Sequence, residues 1–169
     1  MRELHCPVCA SSFVRATYQE GRAERLVSHF NIFPFRCQLC TNRFRAFYSG
    51  GRHNTQAFDR RQYTRLSASI EAQVLDYKQP IVINRITNIS MDGCTLQATG
   101  FPKGAFLELV LKPTMEEEAI RIETAMVCSV RPSSIGVRFL EIPPEHYRRL
   151  AQIVLGLLVG QGLGPTLNA

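Results

Sequence analysis

The sequence has no apolar run long enough to cross a membrane and no apolar segment near its start. Its most apolar stretch, Ile153 to Val159, is interrupted by Gly156 and is far shorter than the roughly 20 residues of a membrane-spanning helix. Met1 to His5 leads directly into the first cysteines, so no secretory signal is expected. A protein without such segments is expected in the cytoplasm, where thiols stay reduced.

Sequence patterns of common enzyme sites are also missing. There is no Gly-x-Ser-x-Gly elbow, no His-Glu-x-x-His zinc motif and no phosphate-binding loop. The four histidines are scattered and do not cluster with carboxylates. Catalysis would need a site assembled from distant segments, so an enzyme is the least expected class and a binding protein is favoured.

Lysine is absent from residues 1–66, although the chain as a whole has a net charge of +6. Residues 1–66 contain eleven arginines and four acidic residues, whereas residues 67–169 contain nine basic and ten acidic residues. The excess positive charge is therefore N-terminal and carried by arginine. A solvated basic surface is the ordinary interpretation, but arginine also forms paired hydrogen bonds with phosphates and guanine edges.

Six cysteines are present, and four of them form two Cys-x-x-Cys pairs with a long insert between them. The paired residues are Cys6, Cys9, Cys37 and Cys40. In a reducing compartment, such pairs predict a metal site rather than disulfides. Four thiolates complete the tetrahedral shell of structural zinc and leave no open position for catalysis. Cys94 and Cys128 lie in strand-like segments and are predicted to be small buried residues.

Residues 1–47 are predicted to form a small four-cysteine module that resembles zinc ribbons. Strands are predicted at 13–18 and 43–48, with a short helix at 23–30 that Pro34 ends. Leu26, Val27 and Phe30 would share one side of this helix, and the arginines of the second strand would form a basic face. His5 and His29 are expected to stay outside a metal shell that four cysteines already fill.

Residues 48–59 contain turn-forming residues without periodicity, so we predict a flexible linker there. Six strand-like segments follow. They cover residues 70–77, 81–89, 95–98, 105–112, 120–130 and 134–140. Six short strands at this spacing predict a mainly β fold, either a closed barrel or a sandwich.

Alternation predicts which side chains of these strands face the core. In residues 105–112 the leucines at positions 107, 109 and 111 share one face. The corresponding face of residues 120–130 is predicted to hold Ile122, Met126, Cys128 and Val130.

After Pro143 and Pro144, apolar residues recur at helical spacing and predict a closing helix that packs on the barrel. These residues are Tyr147, Leu150, Ile153, Val154 and Leu157. A dimer contact through its apolar end is an alternative.

Two polar motifs flank the first two predicted strands. Arg60–Arg65 contains Arg-x-x-x-Arg, and further along the chain Asn88–Gly93 reads Asn-x-Ser-x-x-Gly. Together with the strand count and the segment Ile135–Phe139, these motifs resemble the PilZ family of bacterial cyclic di-GMP receptors. The resemblance covers roughly residues 59–158.

The resemblance implies a six-stranded PilZ-like β barrel with a C-terminal helix over residues 60–159, followed by a tail at 160–169. It implies a non-enzymatic receptor for cyclic di-GMP. The implied ligand-binding residues are Arg60, Arg61, Arg65, Asn88, Ser90 and Gly93. The chemistry agrees, because phosphates and the O6 and N7 atoms of guanine both match the fork of an arginine.

The arginine motif adjoins the predicted linker, so ligand binding is expected to be relayed to the zinc module or to a protein partner. The alternative is a zinc-ribbon nucleic-acid-binding protein in which the barrel is structural. Arginines interleaved with aromatic residues would suit single-stranded nucleic acid. The oligomeric state and the number of nucleotides per site stay open.

Overall fold

A computed structural model of the chain describes residues 4–48, 62–75, 82–113 and 118–161. Two compact units can be distinguished, one running to Thr64 and the other covering Arg65–Gln161. The linker predicted at 48–59 lies outside the described residues except for Tyr48, and the predicted division into module, linker, barrel and tail stays a prediction. Among the helices in the described ranges, none is long and apolar enough to span a membrane.

The first unit is a three-stranded antiparallel sheet with one helix. Its elements are β1 (Val14–Ala16), α1 (Gly21–Ser28), β2 (Ile32–Cys37) and β3 (Arg43–Phe47), and the strand order is β1-β2-β3. Val14 pairs with Cys37, and Phe35 pairs with Phe44. This register packs Val14 and Cys37 together with Cys6 in a small core beside the paired cysteines.

Strand β2 was not expected from the sequence, because Pro34 was interpreted as the end of a helix. The helix in fact ends at Ser28, and Pro34 is buried within the central strand. Proline cannot donate a backbone hydrogen bond, but the Pro34 carbonyl accepts one from the Thr17 N–H at 2.9 Å. Pro34 therefore still takes part in backbone hydrogen bonding through its carbonyl, although it has no N–H to donate.

The buried residue of α1 is an acid. Glu24 is 1% exposed, whereas Leu26 and Phe30 are 65% and 73% exposed. The Glu24 carboxylate accepts hydrogen bonds from Arg43 at 2.6 and 2.7 Å and from Arg45 at 3.1 Å. The bonds from Arg43, with further bonds from the Glu20 N–H and Arg45, lower the pKa of Glu24 to about 2. Arg43 and Arg45, which were predicted to form a basic face, are therefore paired with a carboxylate of the same unit.

The second unit is a closed antiparallel barrel with one helix. Its elements are β4 (Leu66–Leu75), β5 (Val82–Ser90), β6 (Gly93–Gln97), β7 (Phe106–Lys112), β8 (Ile120–Arg131), β9 (Ser134–Glu141) and α2 (Pro144–Gly160). The strand order around the barrel is β4-β5-β6-β9-β8-β7. The predicted mainly β fold, a six-stranded barrel with a C-terminal helix, is confirmed. Strand β4 begins at Leu66 rather than at the predicted Ile70.

Inward-facing residues were predicted correctly for β7 but only in part for β8. The leucines at 107, 109 and 111 are buried. In β8, Ile122 is buried as predicted, but Ala125 and Val127 face the core while Cys128 and Val130 are exposed. The pairing of β8 with β9 shifts at Thr124/Ala125 and again at Val127/Ser129. Such irregularities disturb the period of two, so the predicted burial of Cys128 is wrong.

Cys94 is buried as predicted, and burial raises the pKa of its thiol to about 12. Helix α2 begins at Pro144 and buries Leu150, Val154 and Leu158. Leu150 and Val154 were predicted on the apolar face of this helix. At its C-terminal end Leu157 was predicted, whereas the neighbouring Leu158 is the buried residue.

Candidate metal centre and ligand-binding site

The four paired cysteines come together at one end of the first unit. Their sulfur atoms all lie within 4.8 Å of one another. The Sγ atoms of Cys6 and Cys40 are 3.5 Å apart, and those of Cys9 and Cys37 are 3.6 Å apart. Thiolates about 2.3 Å from a tetrahedral zinc ion would be separated by about 3.8 Å. The cluster therefore has the donor set and the size of a structural zinc site.

The two Cys-x-x-Cys turns share a backbone geometry that exposes N–H groups to sulfur. The Leu39 N–H donates to Cys37 Sγ at 3.4 Å. The residues that follow each pair, Ala10 and Thr41, both have left-handed backbone angles, with φ of 56° and 60°. Burial raises the pKa of Cys37. At Cys6 burial acts in the same direction, but hydrogen bonds from the backbone of Cys9 and Val8 outweigh it and lower the pKa to about 7.

In the barrel, strand register places the end of the arginine motif beside the polar turn. Leu66 pairs with Ile89, and both side chains are buried, at 1% and 0% exposure. Because neighbours along a strand point to opposite faces, Arg65 and Ser67 lie on the outer face. Asn88 and Ser90, on either side of Ile89, share that face. Two segments far apart in sequence thus form one polar surface.

The turn between β5 and β6 is held by its own side chains. Ser90 is 7% exposed, and its Oγ donates to the Gly93 carbonyl at 3.2 Å. Asn88 is half-buried, and its Nδ2 donates to Thr87 Oγ1 at 3.3 Å. Both side chains therefore occupy defined positions near the exposed Arg65.

Two strands of the barrel approach so closely at position 93 that only glycine fits there. A Cβ atom there would lie 2.1 Å from the Val137 carbonyl oxygen and 3.1 Å from the Arg138 Cα. No side chain fits between β6 and β9 at this point. The approach of these strands explains Gly93 without a ligand, and its predicted contact with a nucleotide stays a prediction.

Arg138 was not singled out as a site residue by the sequence. It pairs with Gly93 in the sheet, is exposed, and its Nε lies 3.4 Å from the carboxylate of Asp92 in the turn. The alternation Val137-Arg138-Phe139 indicated an outward side chain, but only the β6–β9 pairing places it beside the turn.

The structure thus brings Arg65, Asn88, Ser90 and Gly93 to one region of the barrel. Arg60 and Arg61 lie outside the described residues. The roles of all six in ligand binding stay predictions.

A search of curated protein sequences found no match to this chain. Among solved structures, YcgR of Escherichia coli in complex with c-di-GMP is similar over 89% of this chain and 75% of its own, with 16% identity and a TM-score of 0.53. The apo structure of MrkH from K. pneumonia matches over 89% and 78%, with 16% identity and a TM-score of 0.52. The motility inhibitor MotI/DgrA of Bacillus subtilis matches over 77% and 66%, with 19% identity and a TM-score of 0.52.

At these identities the similarities establish a shared fold. A comparison with protein-family models is more specific, because the PilZ domain matches residues 59–156, which is more than half of the chain. The matched range excludes the paired cysteines and includes both polar motifs. The chain therefore belongs to the PilZ domain family.

Proposed function

We propose that this protein is a receptor for cyclic di-GMP. The observation that carries the proposal is the register of β4 and β5, in which Leu66 pairs with Ile89. That pairing joins the end of an Arg-x-x-x-Arg motif to an Asn-x-Ser-x-x-Gly turn on one outer face. Membership of the PilZ family and the c-di-GMP complex of YcgR support the choice of ligand. PilZ domains are ligand-binding receptors, and we propose no catalytic step.

The chemistry of the proposed site matches a flat dianion with two guanine bases. Arg61 and Arg65, with Arg60 as an additional contact, would provide bidentate bonds to phosphates or to guanine O6 and N7. Asn88 and Ser90 would bind a guanine edge and a phosphate or ribose oxygen. Gly93 keeps the turn free of a side chain beside the ligand.

Calorimetric titration with cyclic di-GMP tests the proposal. Loss of a hydrogen bond to a charged group costs about 1.5–3 kcal/mol, so Arg61→Ala and Arg65→Ala should each weaken binding by roughly 10- to 150-fold. Arg131→Ala is the matched control, because Arg131 is an exposed arginine at the hairpin end of β8. It removes the same charge outside the proposed site and should leave the affinity unchanged.

An intact protein that gives no heat with cyclic di-GMP would refute the receptor proposal. Equal losses of affinity in all three arginine variants would indicate attraction by overall charge, without a specific site.

We further propose that the four-cysteine module binds structural zinc and that nucleotide binding is relayed to it or to a protein partner. The thiol cluster supports the metal, and the position of the arginine motif next to residues 48–59 supports the relay. Small-angle scattering with and without cyclic di-GMP tests the relay. An unchanged scattering profile under saturating ligand would argue against it.

Nucleic-acid binding by the zinc module is the competing function. It predicts binding to DNA or RNA that weakens steeply with salt and survives Arg61→Ala and Arg65→Ala. The ion pairs of Glu24 count against it, because Arg43 and Arg45 already have a carboxylate partner. Titration of a labelled single strand at two salt concentrations distinguishes the two functions.

A further inference from the structure

The three residues between the motif arginines, Gln62 to Thr64, are held by the metal module. The Thr64 N–H donates to Gln38 Oε1 at 2.7 Å, and Gln38 Nε2 donates to the Gln62 carbonyl at 3.3 Å. Arg15 Nη1 donates to Thr64 Oγ1 at 2.9 Å. One glutamine side chain thus bonds the backbone of this segment at two points.

Gln38 is itself fixed by the metal turn. It follows the metal-site residue Cys37 directly, and it is 5% exposed. Its backbone N–H donates to the Phe13 carbonyl at 2.9 Å, and its Nε2 also lies 3.3 Å from the Arg36 carbonyl. Because a buried amide that moved away would lose these hydrogen bonds, the position of the Gln38 side chain is tied to the Cys-x-x-Cys turn that carries it.

Arg36 makes a second connection on the other side of the same turn. Its guanidinium lies 5.5 Å from the centre of the Tyr63 ring and donates to the Tyr63 hydroxyl at 3.1 Å. The same Nη1 donates at 3.0 Å to the carbonyl of Thr41, the residue after Cys40. Tyr63 is 9% exposed, so its ring is packed as well as hydrogen-bonded.

We infer that the metal site is a positioning device for Arg65, one of the arginines proposed to bind the nucleotide. Metal binding fixes the Cys37–Cys40 turn, and through Gln38 and Arg36 it fixes Gln62–Thr64. Arg65, the first residue of the barrel unit, follows this segment directly in the chain. The inference rests on the proposed receptor function, and Gln38 acts here as a positioning residue that need not touch the ligand.

Thermodynamic linkage makes this arrangement measurable. If metal and nucleotide favour the same ordered segment, each raises the affinity of the protein for the other by the same factor. Couplings of this kind are roughly 5- to 150-fold, so zinc-free protein should bind cyclic di-GMP more weakly by a factor in that range.

The decisive variant is Gln38→Ala in the full chain, since it leaves all four thiols in place. Zinc content should remain stoichiometric, whereas affinity for cyclic di-GMP should fall and should respond less than in wild type to removal of zinc by EDTA, because the Arg36–Tyr63 contact remains. Gln152→Ala, which removes the same amide from the exposed face of α2, should behave as wild type. Thr64→Val removes the bond from Arg15 without touching the metal turn and should give a smaller loss.

Hydrogen exchange of the Thr64 amide gives a readout that needs no nucleotide. This amide should be protected in zinc-loaded wild type and should lose protection in Gln38→Ala and after EDTA treatment. Protection that survives both changes would overturn the inference.

The affinity measurement separates two kinds of failure. A wild type that binds cyclic di-GMP equally well with and without zinc overturns the positioning role alone. A wild type that does not bind cyclic di-GMP overturns the proposed function together with the affinity claim.

Discussion

The first unit buries a carboxylate and two of the four paired thiols, whereas the barrel buries aliphatic side chains. In the first unit Glu24, Cys6 and Cys37 are at most 2% exposed. The fully buried residues of the barrel are Ile86, Ile89, Leu96, Leu109, Leu111, Ile122 and Ile135, among others. A piece of about 45 residues buries too little apolar surface to fold on that basis. Ion pairs, and the metal that we propose at the thiols, would replace apolar burial there, so the two units should respond differently to the same perturbation.

Metal removal should produce the largest difference between the units. Binding of structural zinc supplies roughly 10 kcal/mol or more of folding free energy, so EDTA or Cys37→Ser should unfold the first unit and leave the barrel folded. Hydrogen exchange would show this as loss of protection in β2 with retained protection in β8. Cys128→Ser is the control, because Cys128 is exposed and outside the cluster. Persistent protection of β2 in zinc-free protein would contradict the comparison.

Glu24→Gln should give the next largest effect. The substitution leaves Arg43 without its anionic partner, and breaking a buried ion pair in this way costs about 3–5 kcal/mol. Denaturant unfolding, followed by exchange of amides in β2 and β3, measures the loss. Glu123→Gln on the exposed face of β8 should change stability by less than about 0.5 kcal/mol. A similar small loss for Glu24→Gln would show that the ion pairs are not essential to the unit.

Lowering the pH should remove the stability that the ion pairs of Glu24 contribute to the wild-type protein. The pKa of Glu24 falls from the ordinary 4.5 to about 2 on folding, which corresponds to about 3 kcal/mol of stability. Because the folded pKa is depressed, this stability is fully present above pH 4.5 and is lost as the pH falls through about 2. The stability gap between wild type and Glu24→Gln should therefore narrow across that window. A gap that stays constant from pH 5 to pH 2 would contradict the assigned pKa shift.

Gly93→Ala tests how tightly strands β6 and β9 of the barrel are packed, and it should have the smallest effect of these changes. Its methyl group would meet the Val137 carbonyl oxygen, and such overpacking costs about 1–3 kcal/mol. Thermal unfolding of the barrel measures the cost. Gly156→Ala in α2 is the control, since among the described residues the added methyl group meets nothing within 4 Å beyond its chain neighbours and its own helix backbone, and helix propensity favours alanine by about 1 kcal/mol. Equal melting temperatures for wild type and Gly93→Ala would show that β6 and β9 can separate at no cost.

Local sequence signals predicted much of both units. The Cys-x-x-Cys pairs identified the thiol cluster because each pair is a turn with its own spacing. Alternating residues identified the six barrel strands, and the leucines of β7 face inward as predicted. Boundaries moved by a few residues, as at Leu66, because strand ends depend on pairing partners.

Local signals failed where packing or register decided the outcome. Glu24 was not singled out in the predicted short helix, yet two arginines from β3 stabilise it in the interior. Cys128 looked buried because alternation was extended through pairing irregularities that the sequence does not mark. Pro34 looked like a helix end, but its carbonyl completes a strand interaction.

The candidate ligand site was predicted by motif, whereas its neighbours were not. Arg65, Asn88 and Ser90 were implied by the resemblance of the two motifs to the PilZ family, and the β4–β5 register explains why they are close. Arg138 and Gln38 belong to strands or turns whose partners are far away in sequence. No local pattern could have connected Gln38 to Thr64.

By itself, the sequence determined the two thiol pairs, the number of barrel strands and the concentration of arginine near the N-terminus. These depend on residue type and short-range spacing. Tertiary structure alone decided which polar groups are paired, because hydrogen bonds such as Arg43–Glu24 and Thr64–Gln38 join residues 19 and 26 positions apart. Those bonds exist only once packing brings the partners together.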